Sequence, residues 1–253
     1  MNKPLVTVVV PSFNQGQFLD QALSSIFQQK ISMEVFVMDG GSTDNSIDII
    51  KKWAPKLAGW RSGPDDGQAS AVNEGVKMGS APFIYWINSD DWILPGGLKT
   101  LLSSLQKQPK APAVYGRSSN FKQSSGKYTS TFVEAFVEYR LAFRCIISQP
   151  ATLIRRSAWQ KVGGLDHSLH MSMDYDLWWR LYKKIGPLYF VDDFVAVNRD
   201  HDACKTATNR RLHFQESIYI VRKYYGDVPL KWWLIYPYSV WWKSMCRLFV
   251  RSK

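Results

Sequence analysis

The stretch FIYWINSDD, residues 83–91, decides how the rest of the chain is read. An apolar run from Phe83 to Ile87 stops at Asn88 and Ser89 and then at two adjacent carboxylates, Asp90 and Asp91. A buried strand ending in this way presents negative charge at the carboxyl edge of a sheet, where open α/β folds hold their ligands. Two neighbouring carboxylates repel unless a positive group sits between or beside them, and a hard divalent cation with oxygen ligands is the usual one.

On either side of this stretch, strand and helix signals alternate. Leu5 to Val10 is a β-branched run, and Phe18, Ala22, Leu23 and Ile26 follow at helical spacing. Val35 to Met38 is a second strand, with Ile47, Ile50 and Trp53 marking a helix behind a cap at Ser42 or Asp44. Residues 67–79 predict another helix before the FIYWI strand, and Leu98, Leu101, Leu102 and Leu105 make one face of a further one. This alternation predicts βαβ units and a doubly wound, mostly parallel sheet. Residues 116–127 are polar and predict a loop or hairpin. Later come a strand at 152–154, a helix from Ser157, an amphipathic helix over 174–185, a strand pair over 188–197, and a helix carrying Phe214, Ile218, Val221 and Tyr225. The division expected is one domain over 1–225 and a basic, aromatic tail over 226–253.

Composition narrows the class. A hydrophobic content of 45% supports a sizeable core, and Cys145, Cys204 and Cys246 are too scattered for a zinc or disulfide framework. Few apolar residues precede Pro11, which predicts neither a signal peptide nor a span, and hence a cytoplasmic start. The formal charge of +11 is uneven, since residues 201–253 hold ten Lys or Arg against three Asp or Glu. An acidic partner is implied, but no helix-turn-helix, zinc or RNA-binding signature accompanies the charge, so nucleic acid is not the expected partner.

Each strand of the first half ends in polar residues. Val10 leads to PSFN, Met38 to DGGSTD and Ile87 to NSDD. Such ends converge on one crevice, where an Asp can accept from a base N–H or a ribose hydroxyl, although DGGSTD and GPDDGQ taken singly also suit turns and helix caps. The dinucleotide pattern G-x-G-x-x-G is absent.

The ordered set PSFN, DGGSTD, GPDDGQASAVNEG, NSDD and GGLD…MDYDLWWRL resembles the inverting family-2 glycosyltransferases of GT-A fold, in particular those of bacterial surface-polysaccharide (O-antigen or capsule) synthesis. The resemblance runs from about Val6 to His201. It implies a nucleotide-sugar donor, usually UDP-linked, bordered by Pro11, Ser12 and Asn14, with Asp39, Asp65 and Gln68 around the base and Asp90 near the ribose. It implies Asp91 as the ligand of Mn²⁺ or Mg²⁺ on the diphosphate, with His201 completing the metal or diphosphate site and Arg199 and Lys205 beside it. It makes Asp174 the catalytic base, although an N-terminal helix carboxylate is also explained by the helix dipole. Asp176 is the alternative base, about 200° around the helix. Arg180 is expected to support the site or meet phosphate, and Trp178 to stack on an acceptor sugar unless it packs in the core. His167 and His170 read as loop residues.

The tail from Lys231 holds four of the eleven tryptophans and five basic residues with no acid. Its apolar stretch is too short to span a bilayer. Lys243, Arg247 and Arg251 fall opposite Trp241, Met245, Leu248 and Phe249, the pattern of an interfacial helix on anionic lipid, the alternative being a helix packed on the domain. The expectation is a protein peripheral on the inner face of the cell membrane, acting on a lipid-linked saccharide. The competing expectations are a nucleic-acid binder and a non-catalytic membrane adaptor of the same fold.

Overall fold

The computed structural model describes residues 3–201 and 204–242. In chain order the elements are β1 (Val6–Ser12), α1 (Gly16–Phe27), β2 (Met33–Asp39), α2 (Ser46–Trp53), β3 (Gly59–Ser62), α3 (Gln68–Met78), β4 (Phe83–Trp86), β5 (Trp92–Ile93), α4 (Gly97–Lys107), β6 (Ala113–Lys122) and β7 (Lys127–Ser130). There follow α5 (Glu138–Phe143), β8 (Thr152–Arg155), α6 (Arg156–Val162), α7 (Met173–Lys184), β9 (Tyr189–Asp200), α8 (Lys205–Thr208), α9 (Arg210–Tyr225) and α10 (Leu230–Tyr236), then a π-helical turn over Pro237–Trp242.

The strands form one sheet in the order β3-β2-β1-β4-β8-β6-β9-β5, with β7 on β6. From β3 to β4 the pairing is parallel, and these four strands bring their carboxyl ends to one edge. Beyond β4 it is mixed: β8 runs antiparallel to β4 and β6, and β9 lies parallel to β6. Strand alternation explains the two cores. Val8, Val10, Val35, Val37 and Tyr85 face α1, α2 and α4, while Val9, Phe36, Met38, Ile84 and Trp86 face α3, α6, α7 and α9. Helices therefore cover both faces, as a doubly wound α/β sheet requires.

Several elements depart from the sequence expectation. The expected strand pair over 188–197 is one strand, β9, hydrogen-bonded to β6 on one side and β5 on the other. The polar stretch over 116–127 is the outer half of β6 and its turn to β7, a hairpin whose second strand is exposed throughout. Helix α2 starts at Ser46, with Asn45 rather than Ser42 or Asp44 before it. Asp44 instead accepts from the Gly16 N–H (2.9 Å) and the Ser46 hydroxyl (2.5 Å), tying the starts of α1 and α2 together. Close approaches fix two further helices. A Cβ on Gly75 of α3 would lie 2.6 Å from Val9 Cγ1, and one on Gly97 of α4 would lie 2.4 Å from the Val195 carbonyl oxygen. Past Tyr225, Val228 and Trp232 still pack against the core, Trp232 donating its indole N–H to the Ala142 carbonyl (2.8 Å). The basic positions Lys243, Arg247 and Arg251 lie outside the described residues.

Candidate active site

Gln68, Asp90, Asp91, Asp174, Arg199 and Lys205 line one cavity of about 500 Å³ at the carboxyl edge of the sheet. Segments more than a hundred residues apart in sequence meet there because β9 returns beside the β4–β5 loop.

Asp90 and Asp91 do different work. Nε2 of His201 lies 3.0 Å from Asp90 Oδ2, and the imidazole rests against Phe18 (ring centroids 4.8 Å apart). Asp91 is buried; its Oδ1 accepts the Arg199 N–H (2.8 Å) and its Oδ2 the Asn88 amide (3.3 Å). Burial, and then the neighbouring Asp90 charge, push its carboxyl well above the usual range. Asp91 also lines the cavity, with both carboxylate oxygens already accepting hydrogen bonds. Among the described residues the group able to converge on a cation is Asp90, His201 and Cys204, with ligand atoms within 4.8 Å of one another. Cys204 is the poorest ligand of the three. Burial pushes its thiol up to about 12, and its S–H donates to the Arg199 carbonyl (3.2 Å). The remaining set, a carboxylate oxygen and an imidazole nitrogen, fits Mn²⁺ better than Mg²⁺, which favours all-oxygen shells.

Arg199 is a brace. Its guanidinium donates to the Asp90 carbonyl (2.9 Å), Gln123 Oε1 (2.6 Å) and Gln21 Oε1 (2.5 Å), and lies 4.5 Å from the Phe18 ring centroid and 4.7 Å from that of Trp92. Of phosphate contact and support, the two roles open to it, this geometry is support. Arg180, expected to support the site or meet phosphate, is a brace as well. It does not line the cavity, but donates to Asp176 Oδ2 (2.6 Å) and to the Val162 and Gly164 carbonyls (3.0 and 2.6 Å). Asp176 is fully buried, also accepts from the Tyr224 hydroxyl (2.8 Å), and so is no candidate base.

Asp174 stands in the first turn of α7, with Met171 and Met173 beside it on the cavity wall. Burial pushes its carboxyl up to about 6 against the lowering effect of backbone N–H groups, chiefly that of Tyr175 (2.8 Å), and the charge of Glu216 adds to the rise. A carboxyl at that position in pH is half ionised close to neutrality, as a general base should be. Trp178 is fully buried and stacks on Trp86 (centroids 5.7 Å, planes 21° apart). The ring at the cavity wall is Trp86, so the acceptor-stacking expectation for Trp178 is corrected to core packing.

The other expected residues lie at the ends of β1, β2 and β3. Pro11 and Ser12 pair in register with Met38 and Asp39, and the Ser12 hydroxyl is buried without a partner among the described residues. Asn14, at a φ of 52°, accepts the Thr43 N–H (2.8 Å). Asp39 is fully buried and accepts from the Gly41 and Ser42 N–H groups and from the Ser42 and Ser62 hydroxyls. These bonds hold the loop that follows β2 against its carboxyl end. Asp65 accepts from the Gly67 N–H (2.8 Å), and its carboxylate and the Phe13 ring both lie within 4 Å of where a Cβ on Gly40 would sit. Phe13 is 59% exposed, and sequence reasoning passed over it, although a large ring between Ser12 and Asn14 at a strand end was a signal. Gln68 donates to Asn88 Oδ1 (2.6 Å), linking the start of α3 to the β4 edge.

The profile described as Glycosyl transferase family 2 matches residues 7–164. The chain belongs to that family. An uncharacterized glycosyltransferase of Rickettsia typhi is 25% identical over 219 residues, 81% of this chain and 67% of the relative. The chondroitin synthase of Pasteurella multocida is 24% identical over 219 residues, 83% of this chain but 22% of that longer protein. Among solved structures, S. aureus TarS 1-349 in complex with UDP-GlcNAc superposes with a TM-score of 0.71 at 17% identity, over 89% of this chain and 67% of TarS. The Pyrobaculum calidifontis mannosyltransferase PcManGT, in complex with GDP-Man and Mn²⁺, gives 0.69 at 18%, over 90% of this chain and 66% of that one. This family-2 chain therefore has the GT-A fold and is a glycosyltransferase.

Proposed function

We propose that the chain moves a glycosyl unit from a nucleotide-sugar, UDP-linked in the first instance, to a hydroxyl of a lipid-linked saccharide, with inversion at the anomeric carbon. The observation that carries this reading is one cavity holding the Asp90–His201 pair at one side and the raised Asp174 carboxyl at another. Asp174 takes the proton of the attacking hydroxyl as the new C–O bond forms and the bond to the diphosphate breaks. The nucleoside lies across the ends of β1 to β3, with Phe13 and Asp65 on either side of Gly40 and Pro11, Ser12 and Asn14 along its border. Asp90 and His201 would hold a divalent cation, Mn²⁺ by their donor atoms, whose chemistry when bound is to offset negative charge on the departing diphosphate. Lys205, on the same cavity wall, adds positive charge toward the phosphates.

The acceptor's lipid is supported by surface chemistry. Leu230, Trp233 and Leu234 of α10 are exposed, and Lys231 between them lies 3.9 Å from the Phe143 ring centroid. Arg144 lies 3.7 Å from the Phe132 ring centroid nearby, so cations and apolar side chains share this side. Such a mixture suits the headgroup region of an anionic leaflet. No helix among the described residues is long and apolar enough to cross a membrane. We place the protein on the inner face of the cell membrane, in surface-polysaccharide synthesis.

The test is a panel of nucleotide-sugars with Mn²⁺ and membrane-extracted acceptors, the product's anomeric configuration being read by NMR. One donor is expected to yield a product of inverted configuration. A retained configuration would remove Asp174 as a single general base.

A further inference from the structure

The buried Glu216, on α9, is the group that holds the base-bearing turn in place. Its Oε1 accepts the His170 N–H (2.9 Å), and its Oε2 accepts those of Met171 and Ser172 (both 2.8 Å). Ser172 is the residue before α7, and Asp174 is the second residue of that helix. A second tie joins the same two segments, the Ser172 and Ser217 hydroxyls 3.1 Å apart, with Ser217 donating to the His213 carbonyl (2.8 Å). Three consecutive backbone N–H groups on one buried carboxylate form a nest, and no other side chain among the described residues accepts from all three. His170, Met171, Met173 and Asp174 all line the cavity, so the latched segment is the cavity wall itself.

We propose that Glu216 is a positioning residue for the transfer reaction, fixing Asp174 through the backbone of residues 170–172. The proposal rests on the reading of Asp174 as base. The titratable or charged groups around Asp174 are Glu216 and Cys145 near it, and His170, Lys205, Asp90, Asp91, Arg199, Asp200 and Cys204 on the same cavity. Glu216 is the acidic neighbour whose charge raises the Asp174 carboxyl. A neutral isostere therefore changes both position and acidity. With Gln, one oxygen becomes an NH₂ facing backbone donors, so at least one N–H loses its acceptor.

The experiment compares full-length wild type, Glu216→Gln and Gln215→Ala, the last on the exposed side of the same helix. Glu216→Gln is expected to lower kcat by roughly tenfold or more, leave donor affinity within about twofold, and move the acid limb of the kcat–pH profile to lower pH. Gln215→Ala is expected to match wild type. An unchanged kcat and an unmoved limb in Glu216→Gln would overturn the proposal, as would equal losses of donor affinity and kcat, which mark general damage. If Glu216→Gln does not fold, Ser217→Ala cuts the second tie and carries the test. A lower kcat at unchanged donor affinity supports the latch, and wild-type kcat overturns it. Asp174→Asn measured alongside separates the premises. Turnover surviving there removes the base, whereas an Asp174-dependent enzyme indifferent to Glu216→Gln removes only the latch.

Discussion

At the scale of single residues, Asp174 carries the firmest expectations. Its carboxyl sits at about 6 in the folded protein and near 3.8 when free, so ionisation is disfavoured by folding. The sign follows: the folded state is penalised once the pH exceeds the free value, and the full penalty is present above about 6. Asp174→Asn should therefore abolish transfer, leave donor binding intact, and raise stability at pH 8 by about 1–3 kcal/mol, with no gain below pH ~4. Thermal melts of both proteins at the two pH values check this, and equal melting curves at pH 8 would show that burial does not strain the group. Wild-type kcat should fall about tenfold per unit below pH ~6.

Asp90 and Asp91 make a second pair of expectations at this scale. Asp90→Ala should raise the Mn²⁺ concentration needed for half-maximal rate by roughly tenfold or more if it removes the proposed ligand. Asp91→Ala should instead destabilise the fold by about 1–3 kcal/mol, since the Arg199 N–H is left buried without an acceptor. Manganese titration and denaturant unfolding of the two variants distinguish these outcomes. The reverse pattern would return the metal to Asp91.

Among elements, α7 and β9 decide the site. Trp178 reads from sequence as a core or acceptor ring, and both it and Trp179 are fully buried, with Trp179 stacked on Tyr224 (6.2 Å). Trp178→Ala should cost about 3–5 kcal/mol, the usual loss for a large buried aromatic. A raised acceptor KM with unchanged melting would put the ring in the acceptor site after all. The helices were legible because their apolar spacing survives in isolation, as with Leu98, Leu101, Leu102 and Leu105 of α4. Strands β3, β5 and the outer half of β6 were not, since GWRS and WI are too short to show a period and RSSNFK is polar. They are strands because neighbouring backbone supplies their hydrogen bonds.

For the whole molecule, the expectation concerns the surface where α10, with its Lys231, lies beside Arg144. Full-length protein should sediment with vesicles containing phosphatidylglycerol and poorly with pure phosphatidylcholine, and salt should weaken the association. Changing Leu230, Trp233 and Leu234 to Ser together should lower the bound fraction at least tenfold, given about 1 kcal/mol or more for each side chain inserted. Unchanged sedimentation would detach the membrane from the account. Deleting the chain from Lys231 is a less clean test, because Trp232 packs against Phe214 and its loss would also disturb the core.

Local chemistry in the chain determined that strands end in carboxylates, that helices alternate with them, and which motifs stand in family order, because hydrophobic period and turn residues act over a few positions. Only the folded arrangement decided that Asp90 rather than Asp91 meets His201, that Asp39 turns inward, that Arg180 and Arg199 brace rather than reach out, and that Glu216 grips the turn before Asp174. Each of those outcomes depends on which side of a strand or helix end a polar group faces and what a distant segment offers it there, and spacing along the chain does not encode that.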